Sequence, residues 1–122
     1  MWNVDELKVY EQAMLIGEEV WKIVNKWDFF NKDALGKQWI RAADSVALNI
    51  SEGNGRFFYS DRKVFFYYSR GSAYETKTAL AKAKERGLID PKEFDSLDSK
   101  LNYFFILINC YIKAISTLKS NK

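Results

Sequence analysis

The side chains most able to act on another molecule are five cations, Arg56, Lys63, Arg70, Lys77 and Lys84, at a constant interval of seven residues. On a helix a seven-residue step drifts by only ~20°, so such residues form one slowly turning row. From 63 to 84 the row would span ~32 Å at 1.5 Å per residue. Residues 56–86 carry eight bases and three acids, whereas the whole chain of 122 residues has a net charge of +3. The offset comes from elsewhere: residues 1–28 hold six acids and three bases. Charge is therefore segregated along the chain. A row of this kind can neutralise a phosphate backbone without reading sequence, which makes it a candidate track for RNA or DNA. It can equally be a solvated helix face that meets acidic neighbours.

Other chemistry has little to work with. Histidine is absent, which removes the commonest general base and the commonest metal ligand. Carboxylate metal sites in helix bundles use a Glu-x-x-His pair that this chain cannot supply. No Cys-x-x-Cys, Gly-rich phosphate loop or nucleophile elbow occurs. The single cysteine, Cys110, lies in an apolar run and is expected to be a small core residue. An enzyme is not expected, and neither a cofactor nor a metal is implied.

The elements that must position the row read as helices. With six Gly and one Pro, long helices run uninterrupted. The most informative stretch is 38–56. Trp39, Ala43, Val46, Ile50 and Gly53 form an apolar stripe at three-four spacing. Gln38, Arg41, Ser45, Asn49 and Glu52 form a polar stripe beside it, ending at Arg56. Gln, Ser and Asn are middling helix formers used for hydrogen bonds. The polar stripe, joined by Glu75 on the next helix, is therefore expected to be shielded and paired, fixing helix register; Arg41, Glu52 and Glu75 can also be read as polar groups lining a pore. The helix should end near Gly53-Asn54-Gly55, where glycine permits a left-handed residue. An alternative reading puts Gly53 inside the last turn, admitting a neighbour.

A first helix over about 5–27 is expected to bury Leu7, Tyr10, Met14, Gly17, Trp21, Val24 and Trp27. Phe29 and Phe30 in the following linker should fold onto the bundle end, with Asn31 or Asp33 as the next N-cap. A third helix over about 60–86 should start at a Ser60 cap and stop at Gly87. Gly71, Ser72 and Ala73 thin its middle, as at a helix crossing. Its aromatics belong to core or interface, apart from Phe57, Phe58 and Tyr59 at its entrance, which are candidates for a ligand or partner contact. The fourth helix opens with Asp90-Pro91-Lys92-Glu93, a capping box with proline at the first position. Its stripe of Phe94, Leu97, Leu101, Phe104, Ile108, Tyr111, Ile115 and Leu118 is widened by Phe105, Leu107 and Ile112. A helix apolar over more than half its circumference buries more than one side, so a subunit interface is expected. Residues 119–122 should fray. The expected fold is all-α: a single domain over 1–122, an antiparallel up-down-up-down four-helix bundle that forms a homo-oligomer. No apolar run reaches the ~20 residues of a membrane span, no signal peptide is read, and the cytoplasm is the expected location.

The run Gln38…Ser45-Val46…Asn49-Ile50-Ser51-Glu52-Gly53…Arg56, followed by Gly71-Ser72…Glu75, resembles the four-helix-bundle proteins encoded in intervening sequences of bacterial 23S rRNA genes. It is also similar to the accessory protein of diversity-generating retroelements. The likeness extends from Leu7-Lys8-Val9-Tyr10 to the last apolar helix. Ala47 stands where the family usually has Pro, Ser51 where Ala is common, and Phe58 where a Ser follows Gly-Arg. The resemblance implies a ring, most often a pentamer, with no enzymatic activity and with nucleic-acid binding as the recurring theme. The retroelement likeness implies an alternative: an adaptor whose charge-segregated surface docks a nucleic-acid enzyme such as a reverse transcriptase.

Overall fold

The computed structural model describes residues 3–120 and the side chains as far as Leu118. It is an all-α four-helix bundle: α1 is Lys8–Asn25, α2 Lys37–Asn54, α3 Tyr59–Glu85 and α4 Pro91–Ser120. α4 keeps its helical backbone through Ser120, so the expected fraying does not start at Lys119; Asn121 and Lys122 lie outside the described residues. Each helix packs on the next, and α1 also packs on α4.

Side-chain contacts show that neighbours run antiparallel. Ser69 on α3 donates to the Val46 carbonyl on α2, and Trp39 Nε1 donates to the Thr76 carbonyl, so numbers rise on one helix as they fall on the other. Between α3 and α4 the same order holds, with Arg70 donating to Asn109 and Lys77 to Asn102. Between α1 and α4, Glu19 pairs with Lys100 and Lys26 with Glu93.

The apolar stripe of α2 is buried as its spacing requires: Trp39, Ala43, Val46 and Ile50 are fully enclosed. Gly53 lies inside the last turn, where an added Cβ would sit 2.9 Å from Phe65 Cβ and 3.1 Å from the Arg62 carbonyl oxygen. The capping box of α4 is formed. Glu93 N–H donates to Asp90 Oδ1 at 2.7 Å, and Asp90 N–H donates to Glu93 Oε1 at 3.1 Å. Leu97, Leu101, Phe104, Ile108 and Ile115 complete the inward face.

Several expectations are corrected. A 3-10 turn, Val4–Glu6, precedes α1, and Leu7 is extended between them. Leu7, Gly17 and Val24 of the expected stripe are buried, but Val9, Ala13, Ile16, Val20 and Ile23 share the inward face with them, and Met14 and Trp21 are exposed at 47% and 52%. α1 is apolar on two adjacent stripes, and Ala13 and Gly17 are the positions that meet Ala43 and Ala47 of α2. Phe29 and Phe30 do not fold back; they are 81% and 73% exposed. Asp28, not Asn31 or Asp33, caps the restart by accepting from Asn31 N–H. A turn at Phe29–Asn31 and a wide helical turn at Lys32–Gly36 then bury Leu35 and Gly36 at the bundle end. The C-cap of α2, Gly55, keeps φ at −80°, and among the described residues only Gly87 has positive φ, at 70°. At that end Leu88 N–H reaches back to the Ala83 carbonyl, closing α3. α3 begins one residue before Ser60, and its first amides bond the Phe58 backbone carbonyl, so no side chain caps it. Gly71 does not mark a crossing within the chain, since a Cβ there would meet nothing within 4 Å. Cys110 is exposed rather than a core residue. Finally, Pro91–Leu118 is long and apolar enough to cross a membrane by length and composition, although no uncharged run reaches that length. Only 28% of its most apolar window is buried by the chain.

Candidate nucleic-acid interface

The row lies along α3 and turns toward α4, because a seven-residue repeat drifts on a straight helix. Its first member, Arg56, precedes α3; it pairs with Glu52 at 2.6 Å and covers the Phe65 ring. Lys63 is half-buried, and no carboxylate lies within 4 Å of its ammonium among the described residues. Arg70 donates to Asn109 Oδ1 at 2.9 Å and lies over Tyr67, its carbon 4.8 Å from the ring centre. Lys77 donates to Asn102 Oδ1 at 3.0 Å and stands 3.7 Å from Asp98. Lys84 lies 4.2 Å over the Phe94 ring. Three members thus reach α4, and their partners there are two amides, one carboxylate and one aromatic face.

The electrostatic consequence differs from that of an ion-paired helix seam. Amides and rings fix the direction of a cation without neutralising its charge. Lys63, Arg70 and Lys84 have no carboxylate within 4 Å among the described residues, while Arg56 and Lys77 do. Arg70 is thus positioned with its charge left in place, while at the far end Lys84 shares a pocket with Asp90 and Asp95.

The polar stripe of α2 behaves differently from the expectation. Gln38, Arg41 and Glu52 are exposed, as is Glu75 on α3. Ser45 and Asn49 are half-buried, and Asn49 Nδ2 donates to the Ser45 carbonyl within the same helix. The stripe is therefore not a buried register lock inside the chain. It flanks the buried face instead of sharing it, and register is fixed by polar groups that the stripe did not include. Ser69 Oγ donates to Val46 O at 2.6 Å, and Gln12 Nε2 donates to Lys100 O at 2.9 Å. Both are buried. Each occupies the inward face of its helix, which is the signal that could have found them.

A second cluster was not foreseen. Gly17 lets α1 and α2 approach until Asp44 Oδ1 would lie 3.2 Å from an added Cβ. This tucks one carboxylate oxygen of an otherwise exposed side chain against the backbone. Burial, and then the neighbouring Glu18, raise the Asp44 carboxyl above its ordinary range. The two acids are far apart in sequence and each reads as a surface position, so only helix pairing joins them. Among the described residues no three Cys, Asp or Glu come close enough to hold a metal.

The helix order, the capping box and the Gly53 packing bear on a comparison with known families. The profile of the 23S rRNA-intervening sequence proteins matches residues 5–109. The chain belongs to this family. The match takes in both the α2 stretch and the whole of the basic row. A crystal structure from Bacteroides thetaiotaomicron VPI-5482, a protein of unknown function from the S23 ribosomal protein family, is similar with a TM-score of 0.77. Identity is 17%, and the likeness covers 86% of this chain and 98% of that one. At that identity the likeness shows the shared bundle fold. No match is found among curated proteins.

Proposed function

We propose that this family member is a non-enzymatic, self-assembling bundle that holds nucleic-acid backbone along the α3 row. The observation that carries the proposal is that Lys63, Arg70 and Lys84 have no carboxylate within 4 Å among the described residues, and that an amide and aromatic faces orient two of them without neutralising them. One heptad advances roughly 10 Å along the helix, close to three phosphate spacings of one DNA strand. The row can therefore follow a backbone without reading bases. Phe57 and Phe58, 81% and 63% exposed beside Arg56, offer ring faces at one end of the row for an unpaired base. Assembly would repeat the row and turn several weak tracks into one strong site.

A salt titration of single-stranded RNA and duplex DNA binding tests this. The three cations without a carboxylate within 4 Å, at roughly −0.7 to −0.9 each, give a log–log slope of about −2 to −3 per chain. Replacing Lys63 and Arg70 by Gln should flatten the slope by about 1.4–1.8 and weaken all sequences alike. Absence of binding at low salt refutes the track and leaves the surface as one for docking a partner protein. An unchanged slope in the double variant also refutes it.

A further inference from the structure

α4 has an apolar outward face as well as an inward one. Tyr103, Ile106, Cys110 and Ala114 recur at three-four spacing away from the core, and all four are exposed, Ile106 at 63%. Residues 101–112 carry no formal charge. Lys113, next on this face, has no carboxylate within 4 Å among the described residues. The face is an apolar ridge with one unpaired cation near its end.

The groove between α1 and α2 has the opposite character. A trough of about 340 Å³ lies between the two helices, and a second hollow of about 450 Å³, lined by α1 and Asp5 alone, adjoins it at Tyr10 and Met14. The trough floor is small, made by Ala13, Gly17, Ala43 and Ala47. Met14 and Leu48 stand as exposed apolar walls, at 47% and 66%. The rim is acidic throughout: Glu18 and Asp44 line the trough and Glu11 the hollow beside it, and no Lys or Arg lines either. Glu18 and Asp44 repel each other and make no ion pair among the described residues. A cation brought between them would relieve that repulsion.

We propose that the outward ridge of α4 seats in the α1–α2 trough of a second copy of this chain, with Lys113 placed against Glu18 and Asp44. The proposal rests on the self-assembly part of the function above and names the two surfaces that meet. Large side chains on one helix fill a groove floored by small ones, the ridges-into-grooves geometry of helix packing. The ridge from 106 to 114 and the trough from Tyr10 to Glu18 on α1 each span roughly 12 Å. Ridge and trough are different surfaces of one chain, so the contact is heterologous: each copy offers its ridge to one neighbour and its trough to another.

Two substitutions at exposed positions separate the faces without touching the core. Ile106→Asp spoils the ridge and Leu48→Asp spoils the trough. By light scattering the wild type should be larger than the 14.3 kDa chain, and each variant alone should be monomeric. Mixed in equal amounts, the variants should form a dimer and nothing larger, because one supplies an intact trough and the other an intact ridge. Lys113→Glu should weaken assembly at least tenfold, and Glu18→Lys with Asp44→Lys in the same chain should restore it. A wild type that assembles while either single variant still assembles normally overturns the two named faces but leaves self-assembly standing. A mixture that stays monomeric also overturns the faces. A monomeric wild type overturns self-assembly itself. A monomer that instead floats with neutral phosphatidylcholine vesicles shows that lipid covers the ridge, and overturns the proposal. No nucleic acid enters these measurements, so their outcome is independent of the phosphate track.

Discussion

Replacing Gly53 by Ala tests the packing on which the α2–α3 pair depends. The new Cβ would lie 2.9 Å from Phe65 Cβ, 3.0 Å from Phe66 Cδ1 and 3.1 Å from the Arg62 carbonyl oxygen. Two of these atoms belong to, or are fixed directly to, the α3 backbone, and Phe66 is fully buried. No flexible side chain can swing away, so α3 must retreat by several tenths of an ångström. Overpacking of this kind costs about 1–3 kcal/mol. Because backbone rather than a flexible side chain must move, the upper part of that range, about 2–3 kcal/mol, applies; alanine returns about 1 kcal/mol through its better helix propensity, which leaves a net loss of about 1–2 kcal/mol. Gly71→Ala supplies the control. It also lies within a helix, but nothing stands within 4 Å of its added Cβ, so it should gain about 0.5–1 kcal/mol. Urea unfolding followed by far-UV circular dichroism reads both, as opposite shifts in midpoint at constant slope. A Gly53→Ala protein as stable as the wild type would refute the reasoning. So would a loss at Gly71 equal to that at Gly53.

Three further outcomes follow from other contacts. Ser69→Ala removes a buried hydroxyl that donates to Val46 O at 2.6 Å, and should lower unfolding free energy by about 1 kcal/mol; an unchanged urea midpoint would count against its role in register. Asp90→Ala removes the acceptor for Glu93 N–H at 2.7 Å and should cost about 0.5–2 kcal/mol, with nucleic-acid affinity unaltered. Asp44 is penalised when charged, since burial and Glu18 raise its carboxyl above the ordinary value of 3.8. The penalty is fully present above the raised folded-state value and is lifted as pH falls through it toward 3.8. In the monomeric Ile106→Asp background, where no second copy brings Lys113 to it, Asp44→Asn should therefore stabilise the protein at pH 7, and this advantage should shrink in acid; thermal unfolding across pH 3–8 reads it, and an advantage that grew in acid would contradict the sign.

The sequence determined by itself what depends on residues near one another in the chain. The apolar repeat of Trp39, Ala43, Val46 and Ile50 specified a buried helix face, and Asp90-Pro91-Lys92-Glu93 specified a helix start, because both are set within a few residues. The seven-residue spacing also placed the cations in one row. Tertiary structure decided which of two competing faces turned inward. On α1, Met14 and Trp21 lost to Val9, Ile16 and Val20, since periodicity marks an apolar face but not the direction from which α2 and α4 approach. The polar stripe of α2 likewise flanks the core, and only the pairing of helices shows Ser69 and Gln12 holding register. Whether a cation is compensated depends on the opposite helix, so the amide and ring partners of Arg70 and Lys84 could not be read from α3 alone. The meeting of Glu18 and Asp44 is the extreme case. Two acids separated along the chain become neighbours only because α1 and α2 pack side by side.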